Sequence, residues 1–185
     1  MGAAEHQYKE IILTNGGVCL VDEEDFYYLS KFKWHKRKSD GYVARTVYDK
    51  GNFKTIRMHR EILKPPPELV VDHINRDKLD NRRENLRIAT RSQNTANSIK
   101  PSTNKSGYKG VHYRKDQRKW RACIRVNQKN ISLGQYDDPE KAARAYNKAA
   151  VEYFGEYARL NELPKEENNG GNQNERTANR TYAIK

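Results

Sequence analysis

The segment of residues 70–94, VVDHINRDKLDNRRENLRIATRSQN, places a carboxylate, an imidazole and two amides close together in a chain rich in arginine. Asp72 and His73 are adjacent, and Asn85 and Asn94 follow them. The apolar residues before Asp72 predict a short strand, and the run NLRIA predicts a second one. The letters TRSQ then fit a capping box, which predicts a helix that carries Asn94 in its second turn. The segment is therefore predicted to fold as strand, loop, strand and helix.

These side chains suit the hydrolysis of a phosphodiester. That reaction needs an activated water and a positive charge near the phosphate, where negative charge develops. Histidine is the best general base near neutral pH, and a carboxylate with an amide oxygen suits Mg²⁺ or Mn²⁺. Neighbouring residues of a strand point to opposite faces, so Asp72 and His73 can serve one site only if the strand ends there. A solvated polar turn is the alternative interpretation.

The charge of the chain indicates a polyanionic partner. The 185 residues include 36 Lys and Arg against 24 Asp and Glu, a formal net charge of +12. Each phosphate that a cation neutralises releases counterions, so this surplus favours nucleic acid, although a merely soluble basic protein is the alternative. A mean hydropathy of −1.12 is low for one large core and favours small modules joined by linkers.

The cysteines and the termini bear on the compartment. Cys19 and Cys123 are far apart, so they form no zinc-type pair, and any metal must use oxygen and nitrogen ligands. We expect both to be small buried side chains in a reducing compartment. No stretch has the composition of a signal peptide or the length of a membrane span. These features predict a protein of the host-cell cytoplasm, not secreted, with no membrane contact and no obligate protein partner.

The region before the opening segment is predicted to be mostly β. EIILT and VCLVD are strand-like runs separated by a turn at residues 15–17, and a short helix is predicted over residues 22–32. Further strands follow, with turns at residues 40–41 and 50–52, and three prolines end the next element. We expect the apolar residues of these strands to supply a small core: Trp34, Tyr42, Val43, Val47, Phe53 and Ile56.

Residues 108–163 are predicted to form a second unit. KGVHYRK, KWRACIRVN and NISLGQY have the alternating character of strands, and a helix with Asp138 as N-cap and Gly155 as its stop follows them. Three strands packed on one helix make a minimal self-sufficient unit. Residues 98–107 have the composition of a basic linker, and residues 164–185 are predicted to be disordered.

The opening segment resembles the HNH nuclease family, especially the homing endonucleases of phages and mobile introns. The resemblance rests on DH at residues 72–73, on ENLR around Asn85 and on TRSQN ending at Asn94, with MHREIL and QNTAN as flanking matches. It implies a ββα-metal fold in which His73 is the general base. It further implies that Asp72 and Asn94 hold one Mg²⁺ or Mn²⁺ and that Asn85 is the catalytic residue ordering the loop. Asn94 stands at a position of the family motif that is also occupied by His, so the site is an H-N-N variant.

His59, in RMHREIL, is a competing candidate for the base, although a lone histidine on an apolar segment is more often a packed residue. His35 and His112 are weaker candidates.

The second unit resembles the Apetala, or ethylene-response-factor, DNA-binding domain of plants. YKGVHYRKDQRKWRACIRV and LGQYDDPEKAARAYNKAAVEYFGEYARLN carry the resemblance across nearly the whole unit. It implies that the three-stranded sheet lies in the major groove of DNA. The matched DNA-contacting residues are Lys109, His112, Arg114, Lys119, Arg121, Arg125 and Tyr146. Phosphate contacts are also predicted outside this unit for Arg87, Arg91, Lys100 and Lys105, with a solvated face as the alternative for the arginines.

The predicted fold class is α+β. It comprises an HNH module over residues 1–97 with its ββα-metal core at 68–97, then the linker, then a three-stranded antiparallel sheet packed on one helix. The predicted function is that of a metal-dependent, site-specific DNA endonuclease, a hydrolase of the homing type that acts on double-stranded DNA and nicks one strand as a monomer. Two alternatives stay open. One is a sequence-specific DNA-binding regulator with an inactive nuclease module, and the other is an RNA-binding protein.

Overall fold

The N-terminal region begins with a β-hairpin and a short helix. The structure, a computed structural model, describes residues 8–164. Strand β1 (Tyr8–Ile12) pairs antiparallel with β2 (Val18–Asp22), and helix α1 (Glu23–Leu29) follows directly. Gly16 and Gly17 in the connecting turn have φ angles of 93° and 84°, which glycine adopts without a steric penalty. The predicted hairpin and turn are confirmed, and the predicted helix is present but ends at Leu29, before the predicted end at residue 32.

A three-stranded sheet follows, in the order β3-β4-β5. Its strands are β3 (His35–Lys36), β4 (Val43–Asp49) and β5 (Asn52–Arg57), and β5 leads into helix α2 (Met58–Leu63). Lys64 ends α2 in the left-handed conformation, with a φ of 46°, immediately before the three prolines. The prolines thus end the element as predicted, because proline cannot continue a helix.

The segment that contains Asp72, His73 and Asn94 folds in the predicted order of strand, loop, strand and helix. Strand β6 (Val70–His73) pairs antiparallel with β7 (Leu86–Ala89), and helix α3 (Arg91–Ala96) follows. The loop between the strands ends in a 3₁₀ helix, Arg83–Asn85. At the start of α3, the Thr90 hydroxyl accepts from the Gln93 backbone N–H, and the Gln93 side chain accepts from the Thr90 backbone N–H. The predicted capping box is confirmed.

The N-terminal core lies between the hairpin, the three-stranded sheet and β6-β7. Among its largest fully buried side chains are Trp34, Leu29 and Met58. Trp34 and Val43 are core residues as predicted, whereas Tyr42, Val47 and Ile56 are only partly buried. Phe53 was wrongly predicted to be in the core. It is 79% exposed, because the outer end of the β4-β5 hairpin extends beyond the packed layer and pairs its ring only with that of Tyr48.

The C-terminal unit is a three-stranded antiparallel sheet packed on one helix. Strands β8 (Val111–Arg114), β9 (Lys119–Val126) and β10 (Lys129–Tyr136) lie in the order β10-β9-β8. Helix α4 (Pro139–Phe154) begins after Asp138, whose carboxylate accepts from the Glu140 backbone N–H, and a 3₁₀ helix (Gly155–Tyr157) follows it. The close approach of helix and sheet depends on small residues, since a Cβ on Gly110 would lie 2.1 Å from Cδ2 of Tyr146.

The two units are packed against each other through α3. Ala96, at the end of α3, is buried in one cluster with Ile124 and Tyr146 of the C-terminal unit. The Asn127 backbone N–H donates to the Ser92 hydroxyl at the other end of α3. The connecting residues are also hydrogen-bonded near their end, where the Ser106 hydroxyl and Asn104 amide donate to the carbonyls of Val111 and Tyr108 respectively.

Two other expectations concern the ends and the membrane. The tail predicted to be disordered lies outside the described residues from residue 165 onward, and so do residues 1–7. In the described part of the chain, no helix has the length and apolar character needed to cross a membrane.

Candidate active site of the nuclease module

Asp72 and His73 lie at the end of β6, where the strand gives way to a loop. Each is only 4% exposed. Asp72 is paired in register with Arg87 of β7, and His73 with Leu86. Arg76 reverses the chain just beyond the strand with a φ of 68°. Because the strand ends at His73, both side chains can reach one cavity, which is the condition set by the alternation of strand side chains.

The Asp72 carboxylate is held by two side chains. The Arg87 guanidinium approaches one carboxylate oxygen, with Nε 2.9 Å and Nη2 2.8 Å from Oδ2. The Asn97 amide nitrogen lies 3.0 Å from Oδ1 and 3.1 Å from Oδ2, and it also donates to the His73 carbonyl over 2.9 Å. Asn97 is 7% exposed, and the sequence analysis did not identify it as a residue of the site. The flanking match QNTAN, which ends at Asn97, is the feature of the sequence that could have identified this residue.

The His73 imidazole is oriented by Asn81. Nε2 of His73 lies 3.4 Å from Oδ1 of Asn81, whose amide nitrogen donates to the Lys78 carbonyl. That second hydrogen bond turns the amide oxygen toward the imidazole, an arrangement that favours the tautomer with the proton on Nε2 and the free lone pair on Nδ1. Burial lowers the pKa of His73, so the ring is neutral at neutral pH. A neutral imidazole with a free Nδ1 has the form required of a general base.

Asn85 and Asp80 order the loop between the strands. The Asn85 side-chain oxygen accepts from the Asn75 backbone N–H over 2.9 Å, and its amide nitrogen donates to the Asp80 carbonyl over 2.7 Å. The Asp80 carboxylate in turn accepts from Arg82, which lowers the pKa of Asp80 below its ordinary value. The Asn85 amide therefore acts on the shape of the loop, and it does not line the cavity that Asp72 and His73 border.

A cavity of about 430 Å³, open to solvent, brings the candidate residues together. Asp72, His73 and Asn94 line it, and two cations line it as well, Arg76 and Lys78. Lys78 donates to the Asp40 carbonyl over 2.6 Å and lies 4.6 Å from the centre of the Tyr42 ring. The two cations were missed from sequence, where they were indistinguishable from the other charged residues of the loop. They give the cavity the positive charge that a phosphate group needs.

The side chains at this cavity fit one divalent metal ion. The Asp72 carboxylate and the half-buried Asn94 amide present hard oxygen donors, which Mg²⁺ and Mn²⁺ prefer. Within residues 8–164, no group of three or more His, Cys, Asp or Glu could hold a metal. With a single carboxylate and an amide, most ligand positions on an ion at Asp72 and Asn94 would remain for water and phosphate oxygens, which is the usual state of Mg²⁺ in phosphoryl chemistry.

His59, the competing candidate for the base, packs behind His73. The two rings form an edge-to-face contact with their centroids 5.3 Å apart, and His59 is 4% exposed. Burial lowers its pKa to about 3, and its Nδ1 has no hydrogen-bond partner among the described residues. His59 does not line the cavity, so it supports the position of the His73 ring. His35 lies in β3 and His112 in β8, away from the cavity.

The face of the C-terminal sheet that points away from α4 carries a row of basic side chains, of which Arg114 and Lys119 are ion-paired with Asp116 and Asp137. Val111, Ala122 and Ile124 are buried on the helix side, so their strand neighbours point outward. The register pairs Arg114 with Lys119 and His112 with Arg121 on this outer face. Arg125 continues the row, and it lines an open cleft of about 550 Å³ together with Arg91 of α3. Lys100 and Lys105 are exposed on the connecting segment.

Three residues predicted to contact DNA are engaged inside the protein. Arg87 is bound to Asp72, and Lys109 Nζ donates to the carbonyl of Ala96, the last residue of α3, and to that of Ser98 over 2.7 Å. Burial lowers the pKa of Lys109 to about 8. Tyr146 is 4% exposed and its ring packs over Gly110. These side chains hold the structure together, and we do not assign them to the DNA-contacting surface.

Comparison with known proteins agrees with these features. The model of the HNH endonuclease family matches residues 64–96, and that of the AP2 domain matches residues 106–156. An "Uncharacterized HNH endonuclease" of Acanthamoeba polyphaga mimivirus is 32% identical over 151 residues, which cover 80% of this chain and 76% of the relative. "Protein 3.8" of Escherichia phage T7 is 30% identical over 95 residues, 51% of this chain and 78% of the relative.

The chain belongs to the HNH endonuclease family. It is a nuclease with a C-terminal AP2-type domain, as the resemblances in the sequence implied. Both matched domains are DNA-binding domains, so DNA is the partner that the chain is built to bind.

Proposed function

We propose that this nuclease hydrolyses a DNA phosphodiester with His73 as the general base and one divalent metal, Mg²⁺ or Mn²⁺, on Asp72 and Asn94. The observation that carries the proposal is the cavity lined by these three side chains together with Arg76 and Lys78. A base, hard oxygen donors and cations are the parts that this hydrolysis requires.

The residues of the cavity have separate roles in the proposed reaction. The free Nδ1 of His73 takes the proton from the attacking water, while Asn81 holds the ring through Nε2. Arg76 and Lys78 attract the scissile phosphate, and Asn85 keeps the loop that carries Arg76 in shape. When bound, the metal ion stabilises the negative charge on the phosphate and on the leaving 3′ oxygen. The products are 5′-phosphate and 3′-hydroxyl ends.

Site recognition is assigned mainly to the AP2-type domain. The outer face of its sheet presents His112, Arg114, Lys119, Arg121 and Arg125, and arginine binds the edge of guanine through two donors. The cleft that Arg125 shares with Arg91 continues this cationic surface onto the nuclease module. Lys100 and Lys105 would add phosphate contacts between the two.

The cutting pattern follows from one site per chain. A monomer with a single cavity cuts one strand in each encounter, so we infer nicking, and a double-strand break would need two chains or two binding events. Viral relatives favour an enzyme of mobile or viral DNA, in line with a homing type of activity.

The experiment that tests the proposal is the nicking of supercoiled plasmid. The plasmid would carry a sequence selected from a random duplex pool by binding to the full chain. We expect relaxation with Mg²⁺ or Mn²⁺, none with chelator, and none with His73→Ala, while His73→Ala still binds the selected duplex. His35→Ala is the matched control, because His35 lies outside the cavity, and it should cut as the wild type does. Equal cutting by His73→Ala would remove this residue from the role of base.

A second candidate is a DNA-binding regulator with an inactive nuclease module. The observation in its favour is that Asp72 is already paired with Arg87 and Asn97 within the chain. A regulator would bind the selected duplex equally well with and without chelator and would leave both strands intact with every divalent ion.

A further inference from the structure

Arg87 connects the Asp72 carboxylate to the AP2-type domain. Two of its nitrogens, Nε and Nη2, lie on Asp72 Oδ2 at 2.9 and 2.8 Å. Its third nitrogen, Nη1, donates to the carbonyl of Glu156 over 2.9 Å. Glu156 belongs to the 3₁₀ helix that follows α4. A single side chain of β7 thus binds the candidate metal ligand with one edge and the neighbouring domain with the other.

Tyr157 of the AP2-type domain packs its ring against the same guanidinium. Its ring centre lies 4.2 Å from Cζ of Arg87, and its hydroxyl donates to the carbonyl of Ile88, the next residue of β7. The side chains of Arg87 and Asp72 are only 13% and 5% exposed. Because solvent screens this pair little, the position of the guanidinium determines how much negative charge Asp72 can offer to another cation.

We propose that Arg87 is a positioning residue that couples the docking of the AP2-type domain to the affinity of Asp72 for a divalent cation. The inference rests on the proposed function only in taking Asp72 as a metal ligand. While Glu156 and Tyr157 hold the guanidinium in place, its positive charge opposes a second cation on the same carboxylate. When the domain shifts, as its sheet engages DNA, Arg87 loses these contacts and Asp72 becomes a stronger ligand. By linkage, a cation bound at Asp72 loosens the domain contact to the same degree.

The test is a Mn²⁺ titration of the full chain, with free Mn²⁺ measured by electron paramagnetic resonance. Asp72→Asn defines the site, and binding that this variant loses is binding at Asp72. We expect Arg87→Ala to bind Mn²⁺ about tenfold more tightly, because the variant removes a positive charge that opposes the ion at the same poorly screened carboxylate. Tyr157→Leu should bind it about threefold more tightly. The double variant should match Arg87→Ala, because Tyr157 acts only through Arg87.

Two further variants separate this coupling from general loosening of the interface. Ser92→Ala removes an interface hydrogen bond, from the Asn127 backbone, that does not touch Arg87, so Mn²⁺ affinity should stay unchanged. Arg87→Lys keeps the charge but has one nitrogen in place of three, so Tyr157→Leu should have less effect in that background. Circular dichroism would establish that each variant is folded.

The outcomes distinguish the inference from the function it rests on. Tightening by Tyr157→Leu that persists in the Arg87→Ala background, or that Ser92→Ala reproduces, overturns the coupling while leaving the metal site intact. Unchanged or weaker affinity in Arg87→Ala does the same. Mn²⁺ binding that is insensitive to Asp72→Asn overturns both the coupling and the proposed metal site.

Discussion

Replacement of Asn97 should destabilise the protein, because its amide nitrogen donates hydrogen bonds to both of the last two residues of β6, Asp72 and His73. That nitrogen has two hydrogens, and its closest acceptors are the His73 carbonyl at 2.9 Å and Asp72 Oδ1 at 3.0 Å. A hydrogen bond to a charged group contributes about 1.5–3 kcal/mol, and the bond to the His73 carbonyl, which keeps the Arg76 backbone N–H as a second donor, contributes about 1 kcal/mol. With an apolar side chain of similar size, Asn97→Leu keeps water out and should lower the free energy of unfolding by about 2.5–4 kcal/mol.

Asn97→Ala should cost less than Asn97→Leu. Asn97 borders the open cavity, so a water molecule can enter the space left by alanine and replace one of the lost hydrogen bonds. We expect a loss of about 2–3 kcal/mol for this variant. Ser98→Ala is the matched control, because the Ser98 hydroxyl is exposed and only caps the Thr95 carbonyl. It should stay within about 0.5 kcal/mol of the wild type.

The assay is urea unfolding followed by tryptophan fluorescence. The chain has two tryptophans, and only Trp34 lies in the N-terminal core, so a Trp120→Phe background restricts the signal to the unit that contains Asn97. The midpoint should fall with an unchanged slope. A loss below about 1 kcal/mol for Asn97→Leu, or a loss no larger than that of Asn97→Ala, would refute the role given to this amide.

Three other predictions concern the rest of the chain. Gly110→Ala should destabilise the C-terminal unit by about 3 kcal/mol or more, because the new methyl group overpacks against Tyr146 and the φ of 76° is left-handed. Gly107→Ala is the control, since a Cβ there would have nothing within 4 Å, and it should cost only about 1–2 kcal/mol. Both losses are measured by unfolding followed by Trp120 fluorescence. His59 has a pKa of about 3 when folded, below its ordinary 6.5, so the unfolded chain binds the proton first. The contribution of neutral His59 to the free energy of unfolding is therefore fully present above pH 6.5, and it falls toward pH 3 by about 1.4 kcal/mol per pH unit. The difference in the free energy of unfolding between the wild type and His59→Phe should change with pH at this slope. A difference that does not change with pH would contradict the prediction. Arg121→Ala should weaken binding of the selected duplex by about 1–3 kcal/mol but hardly affect random duplex in a gel-shift competition, whereas equal losses would indicate a phosphate contact only.

The element order was predictable because its signals are local. The capping box at Thr90, the glycines after Asn15 and the prolines after Lys64 each act within a few residues, and each produced the expected start, turn or stop. The alternating character of KGVHYRK, KWRACIRVN and NISLGQY likewise predicted the three strands of the C-terminal sheet. The pair of Asp72 and His73 was recognisable for the same reason, since their spacing and the end of the strand are properties of one short segment.

The partners of individual side chains could not be predicted in this way. Arg87 reads in the sequence as a surface cation, but it binds Asp72, 15 residues away, and Glu156, 69 residues away. Lys109 reads as a DNA contact but holds the end of α3. Phe53 reads as a core residue, but the position of its hairpin leaves it exposed. Each outcome depends on which faces pack together, and local propensity carries no information about that.

The sequence by itself therefore determined the two kinds of unit and the residue types of the candidate site. Only the tertiary structure decided that Asn97 and Arg87 hold the carboxylate and that Arg76 and Lys78 complete the cavity. The physical reason is distance. Caps, turns and strand alternation involve atoms a few residues apart, whereas ion pairs and buried amides join segments that become neighbours only when the strands pair and the hydrophobic surfaces pack together.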